Sequence, residues 1–432
     1  DGTSERLVLP ATEKGFRRFG AFSPDGSRFA YASTERNGED FDIYIAETET
    51  GKATLVYRGV LGFGVAAWVP GTENLLVDET VGEDADNLYL LDAESGELES
   101  LYKPAGPANH TSGFGSPTFA FSSDGKTMYF STNKGREFLA MGSRPTTVDG
   151  TFDTIEAVNH DLEDPVMCGG RFLAYTMNSE GADTLRILDT GEDREVAVPA
   201  LPAGALDVSC AADQPRMLIR VSAYDTPGDL YLWDIGAGKP HRLFRSALAG
   251  LGPDDFVAPE SVTLPARDGV EVQGLLYLPQ VERGVKPPML FSVHGGPTAE
   301  SRANFDPVAQ YYAARGIAVF KTNVRGSSGR GRTYLSLDNR EKRLDSVRDV
   351  VDMLAHFGGD ERVDASRAAV SGGSYGGYVV NAVLGTYPDA FDAGVALFGV
   401  GDWVTALRVV SPSLRASDII EYGDIEDPRW LD

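Results

Sequence analysis

The sequence predicts a run of β-propeller blades followed by an α/β domain built on a mostly parallel sheet. Three observations carry that expectation. A turn-strand-strand unit recurs through residues 20–245, the pattern changes near Ala258, and from Pro288 onward apolar strands alternate with amphipathic helices. With 432 residues, 42% hydrophobic and 24% charged, the chain has the composition of a globular protein with room for two domains or more. Disorder and a small stapled scaffold are excluded.

The repeat is legible in its turns and in the strands after them. Ser23-Pro24-Asp25-Gly26, Pro70-Gly71-Thr72, Ser123-Asp124-Gly125, Cys168-Gly169-Gly170 and Ala212-Asp213-Gln214 each precede an alternating apolar strand. Those strands start at residues 28, 74, 127, 171 and 216, so one unit occupies 44–53 residues, close to the length of a four-stranded blade. Second strands at 42–45, 87–92, 184–189 and 229–234 support at least five blades, whose aromatic and β-branched residues fill the packing between them. The propeller part is placed at 1–258 and is taken to be partial.

Residues 259–432 form the second domain, also taken to be partial. A hairpin over 262–278 turns at Asp268-Gly269, then strands at 289–293, 317–322, 368–371 and 393–398 alternate with helices at 305–315, 341–357 and 375–387. In the helix over 341–357, Leu344, Val347, Val351 and Leu354 recur at helical spacing and mark the expected buried face. Such a βαβα order places chemistry at the carboxyl ends of the strands.

One of those ends carries Gly372-Gly373-Ser374-Tyr375-Gly376-Gly377, a G-x-S-x-G pattern between a strand and a helix. A nucleophile elbow holds its serine in a strained conformation, with glycines keeping Cβ atoms away and the following helix pointing its amide end at the site. Ser374 is therefore the expected nucleophile of an α/β-hydrolase. Two backbone donors are expected to hold the oxyanion: the amide of Tyr375, directly after the serine, and that of Gly296 in His294-Gly295-Gly296-Pro297, which follows the strand at 289–293. His294 itself is read as part of that loop and not as the base.

These segments, with Asn323-Val324-Arg325-Gly326-Ser327 between them, resemble the catalytic domain of the prolyl oligopeptidase family, in particular its acylaminoacyl-peptidase-like and dipeptidyl-peptidase-like branches. A propeller preceding the hydrolase is also that family's architecture. The resemblance implies a serine peptidase hydrolysing short peptides through an acyl-enzyme at Ser374, with no cofactor and no metal. An esterase-type hydrolase and a non-catalytic propeller protein with a vestigial hydrolase domain are the alternatives. The family's dipeptidyl peptidases hold the substrate amino group with adjacent glutamates, and this sequence has no Glu-Glu pair, which favours the acylaminoacyl-peptidase-like branch.

In α/β-hydrolases the triad runs nucleophile, acid, histidine. Histidines 110, 160, 241, 294 and 356 all precede Ser374, so the catalytic Asp and His are expected beyond Asp432, and five blades fall short of the family's seven or eight, so the amino end is expected to be clipped too. The remaining polypeptide is then needed to complete the triad, and a homo-oligomer is compatible with the sequence.

Other classes are disfavoured. The formal charge is −25, with 21 basic and 41 acidic residues in 1–258, which argues against a nucleic-acid partner. No apolar run approaches the ~20 residues of a membrane helix, and a membrane partner is not expected; the compartment is left open. The segment 326–333 has P-loop spacing but carries Arg332 where lysine belongs, so nucleotide binding is rejected. Cys168 and Cys210 have no further Cys or His at zinc-ligand spacing and are expected to be buried free thiols.

Overall fold

The computed structural model describes residues 5–12, 14–82, 85–103 and 118–430. His110 lies outside them. The described residues contain five four-stranded antiparallel meanders, each running in sequence order across its sheet, and one six-stranded mixed sheet. The five expected blades are therefore present.

Two of the turns that define the repeat are built the same way. In the first blade the Ser23 hydroxyl donates to Asp25 at 2.7 Å, Gly26 donates to the Ser23 carbonyl at 2.8 Å, and Gly26 sits at φ 70°. In the third, Ser122, Asp124 and Gly125 repeat the arrangement, with φ 68° at the glycine. A hydroxyl and amides directed at the carboxylate pull the pKa of Asp25 down to about 2. A Cβ at Gly125 would fall 2.0 Å from the Pro70 carbonyl oxygen, so glycine is required there by contact as well as by φ.

The chain divides into two compact bodies. The first contains blades one to three and the residues from Val404 onward. Two of its core clusters lie between blades: Ala30, Ile43, Val65, Trp68 and Leu75 fill the space between blades one and two, and Leu76, Leu88, Met128 and Phe130 fill that between blades two and three.

The second body, Val158–Trp403, contains blades four and five and the mixed sheet. Met217, Ile219, Val221 and Trp233 pack with Leu185 and Ile187 between the two blades. Here one expectation is corrected: Cys168 and Cys210 are joined in a disulfide, with Cα atoms 4.8 Å apart. Each cysteine ends the first strand of its blade, Leu162–Cys168 and Ala205–Cys210, and the separation of 42 residues is about one blade period. Repeat geometry therefore brings equivalent positions together, a relation that a count of cysteines and metal spacings does not detect.

The sheet order is Glu260–Pro265, Glu271–Tyr277, Ala318–Asn323, Pro288–Val293, Asp364–Gly373, Ala393–Leu397. The last four strands are parallel and the first two add an antiparallel edge. Helices Pro307–Ala314, Arg343–Phe357 and Tyr375–Thr386 fill the connections. Asp306 caps the first of them, accepting from the amides of Val308 and Ala309. The buried stripe of Arg343–Phe357 is Ser346, Val347, Val350, Met353, Leu354 and Phe357. Leu344 is exposed, contrary to the spacing reading, because the helix is rotated to bury Arg343 and Asp349 against charged partners. All five residues of Ala393–Leu397 are exposed.

Candidate active site

Ser374 is the junction between strand Asp364–Gly373 and helix Tyr375–Thr386. Its φ of 55° and ψ of −120° put a non-glycine residue in backbone space that costs about 1–3 kcal/mol and persists only where neighbours over-determine it. The neighbours are identifiable. Ser374 donates its amide to the Leu397 carbonyl at 3.1 Å and accepts from Tyr378 at 3.0 Å. A Cβ at Gly376 would lie 2.1 Å from the Val293 carbonyl oxygen, and one at Gly372 would lie 2.5 Å from the carbonyl carbon of Gly376, so strand and helix can close on each other only because both positions are glycine.

The result is an exposed serine whose hydroxyl neither caps the helix nor has any other hydrogen-bond partner among the described residues. The helix start behind it favours negative charge.

The His294-Gly295-Gly296-Pro297 loop reaches this point. A Cβ at Gly295 would come within 3.3 Å of the Ser374 Cβ and 3.9 Å of its Oγ. Gly295 thus faces Ser374, a placement the sequence reading did not single out. At Gly296, φ is 126° and a Cβ would meet the amide of Thr298 at 2.7 Å, so residue 296 turns its substituent direction into the loop.

His294 is engaged elsewhere. Its Nδ1 lies 2.7 Å from the Gly295 carbonyl oxygen and its Nε2 lies 2.9 Å from Ser327 Oγ, and burial with the nearby Lys321 charge pulls its pKa down. That leaves neither ring nitrogen for Ser374. His356 bonds the Pro265 carbonyl, His160 lies in an isolated bridge just ahead of blade four, and His241 opens the last strand of blade five. Ser327, in the P-loop-like segment, is buried, and a Cβ at Gly326 would meet Asp338 at 2.2 Å, so that segment is packed against its surroundings and offers no open phosphate cradle.

The side chain of Tyr375 anchors the first residue of the helix. Its hydroxyl donates to Asp338 at 3.0 Å, lies 2.6 Å from Ser346 Oγ and accepts from Arg343 at 3.2 Å, while Arg343 pairs with Asp338. Burial pushes this phenol well above its ordinary pKa, so it stays neutral. The adjacent Arg325 forks onto buried Asp349 and reaches Asp268, whose carboxyl it lowers to about 2.

A second charged cluster, absent from the sequence reading, follows the glycine loop. Arg302 pairs with Glu163 at 3.2 Å, Asp183 at 2.8 Å and Glu300 at 2.8 Å, and Glu300 accepts from Asn178 at 2.5 Å. With Ala303 bonded to Gly181 and Gln310 to Tyr224 and Val257, this ties the segment after the loop to blades four and five. Burial raises Glu300 to about 7 and lifts Glu163 well above the usual carboxylate range. Nothing in local spacing announces a cluster in which Arg302 meets Glu163 and Asp183 from more than a hundred residues away. Among the described residues no group of His, Cys, Asp or Glu is placed to hold a metal ion.

Residues 303–427, which include the elbow, match the prolyl oligopeptidase family. The chain is 28% identical over 305 residues to dipeptidyl aminopeptidase BIII of Pseudoxanthomonas mexicana, an alignment covering 67% of this chain and 43% of that protein. It superposes on prolyl oligopeptidase B of Galerina marginata with a TM-score of 0.83 at 16% identity, covering 100% of this chain and 62% of the other, and on a puromycin hydrolase with a TM-score of 0.81 at 18% identity, covering 98% and 68%. At those identities the structural likeness is one of fold: propeller blades followed by an α/β-hydrolase sheet. The chain spans less than half the length of dipeptidyl aminopeptidase BIII.

Proposed function

We propose that this chain is a member of the prolyl oligopeptidase family and carries the nucleophile of a serine peptidase that cleaves short peptides through an acyl-enzyme. The observation that carries the reading is Ser374 itself, an exposed serine held at φ 55° at the carboxyl end of an interior parallel strand, with the glycine loop alongside. In the proposed step Ser374 Oγ attacks the scissile carbonyl carbon, its proton passes to a base, and the tetrahedral oxyanion receives the backbone N–H groups of Tyr375 and Gly296. The intermediate collapses as the leaving amine takes up the proton, and water then releases the acyl group by the same sequence. The base and its acid partner are proposed to come from polypeptide outside these 432 residues. Residues 1–258 are proposed as the propeller domain and 259–432 as the catalytic one.

Replacement of Ser374 by alanine in a polypeptide that turns over a chromogenic acyl-amino-acid anilide tests the proposal. Activity and labelling by a fluorophosphonate are expected to fall by ~10⁴-fold or more with thermal unfolding unchanged. Retained amide hydrolysis would overturn it, and turnover of esters with none of amides would assign the esterase chemistry instead.

A further inference from the structure

The first body contains a cavity whose charge runs against the rest of the chain. It has a volume of about 490 Å³ and lies where strand Leu98–Tyr102 of blade two meets blade three. Lys103, Lys134, Arg136 and Arg144 line it, and among the described residues no Asp or Glu does. Residues 1–258 carry 21 basic and 41 acidic side chains, so four cations converging without a carboxylate depart from the local composition.

Arg144 makes the arrangement informative. It is 1% exposed, and its guanidinium donates only to carbonyl oxygens, those of Leu101, Thr147 at 2.8 Å and Val148 at 3.5 Å. A buried cation with no counter-ion among the described residues is costly, and burial pulls its pKa down. Every other buried arginine of the described residues, Arg325 and Arg343, has a carboxylate partner. Lys134 and Arg144 both sit against the ring of Tyr102, 5.0 and 5.5 Å from its centroid, a contact that orients the two cations without neutralising them. Arg136 reaches Thr154 at 3.2 Å, which adds a hydroxyl beside the charges. Exposed lysines alone would be an ordinary solvated surface. Their convergence in one concavity with a buried arginine that has no carboxylate partner among the described residues is not.

We infer that this cavity between blades two and three binds a small multivalent oxyanion, a phosphate ester or a polycarboxylate, whose charge compensates Arg144 and is held by Lys103, Lys134 and Arg136. Its volume suits a small organic ligand and is far too small for a macromolecular surface. The site is independent of Ser374 and of the peptidase reading.

Isothermal titration of the 432-residue chain with pyrophosphate, and separately with citrate, at low ionic strength tests the inference. At least one anion is expected to bind with a dissociation constant below ~1 mM that weakens as salt is raised. Preference for pyrophosphate assigns the phosphate form, and preference for citrate the carboxylate form. A Lys134→Gln/Arg136→Gln variant is expected to bind at least about tenfold more weakly, the scale of losing charge-assisted contacts. Both residues are exposed, so its thermal unfolding without ligand should match that of the parent chain. Lys126→Gln, at a lysine paired with Asp124 and outside the cavity lining, is expected to change nothing. Absence of binding by either anion below ~1 mM, or equal binding by the parent and the double variant, would overturn the inference.

Discussion

Alanine at Gly295 separates a glycine needed for chemistry from one needed for folding. The added methyl would stand 3.3 Å from the Ser374 Cβ and from the Gly373 carbonyl oxygen. That is a few tenths of an ångström inside the ~3.5–4.0 Å optimum for carbon contacts. Ser374 cannot retreat freely, because its amide is bonded to Leu397 and its carbonyl to Tyr378. The strain therefore falls on the nucleophile's approach. Displacement of reacting groups by about 1 Å costs about 10²-fold, so a few tenths should cost about tenfold in kcat with little change in KM. Residue 295 does not have a left-handed φ, so alanine adds no backbone penalty and unfolding should shift by less than about 1 kcal/mol. The assay is steady-state hydrolysis of an anilide by an active polypeptide, paired with the rate of fluorophosphonate labelling. Unchanged kcat in Gly295→Ala together with unchanged kcat in Gly295→Val would refute the placement of this loop against the serine.

Gly376→Ala should behave differently, since its Cβ would meet the Val293 carbonyl oxygen at 2.1 Å; the expected outcome is a loss of stability of about 3 kcal/mol or more in denaturant unfolding. Glu300→Gln keeps an acceptor for Asn178 while removing a carboxyl whose pKa rises from 4.5 to about 7 on folding. Between those values the folded state holds a proton that the unfolded state has lost, so in the parent chain this group's contribution falls as pH rises, by about 3 kcal/mol in all, and the variant should show a flatter stability profile from pH 4.5 to 7. Replacement of both Cys168 and Cys210 by alanine opens a 42-residue loop and should cost up to about 4 kcal/mol, read as a lower unfolding midpoint that reductant no longer shifts.

Much of this molecule is legible along the chain because its determinants are local. Alternation of apolar residues between Asp-Gly and Pro-Gly turns is enough to predict a blade strand, and the strands expected at 28–33 and 127–132 coincide with those observed, Arg28–Ser33 and Thr127–Thr132. The elbow's residues are equally local: Gly372, Ser374 and Gly376 lie within five residues, although the contacts that hold the conformation come from Leu397 and Val293. For the same reason the strand-serine-helix junction is readable from the sequence.

What the tertiary structure decided involves residues that are neighbours only after folding. The face of helix Arg343–Phe357 turned on buried ion pairs with Asp338 and Arg325, so charged residues displaced Leu344 from the core side against its hydrophobicity. Cys168 found Cys210 because a repeat stacks equivalent positions. Arg302 gathered Glu163, Asp183 and Glu300 from segments up to 139 residues apart, and Gly295 acquired its place beside Ser374 through the pairing of strands Pro288–Val293 and Asp364–Gly373. A sequence encodes propensity and period within a few residues' reach. Pairwise contacts between distant segments are selected by packing, burial and charge compensation, which act only once the sheets have formed.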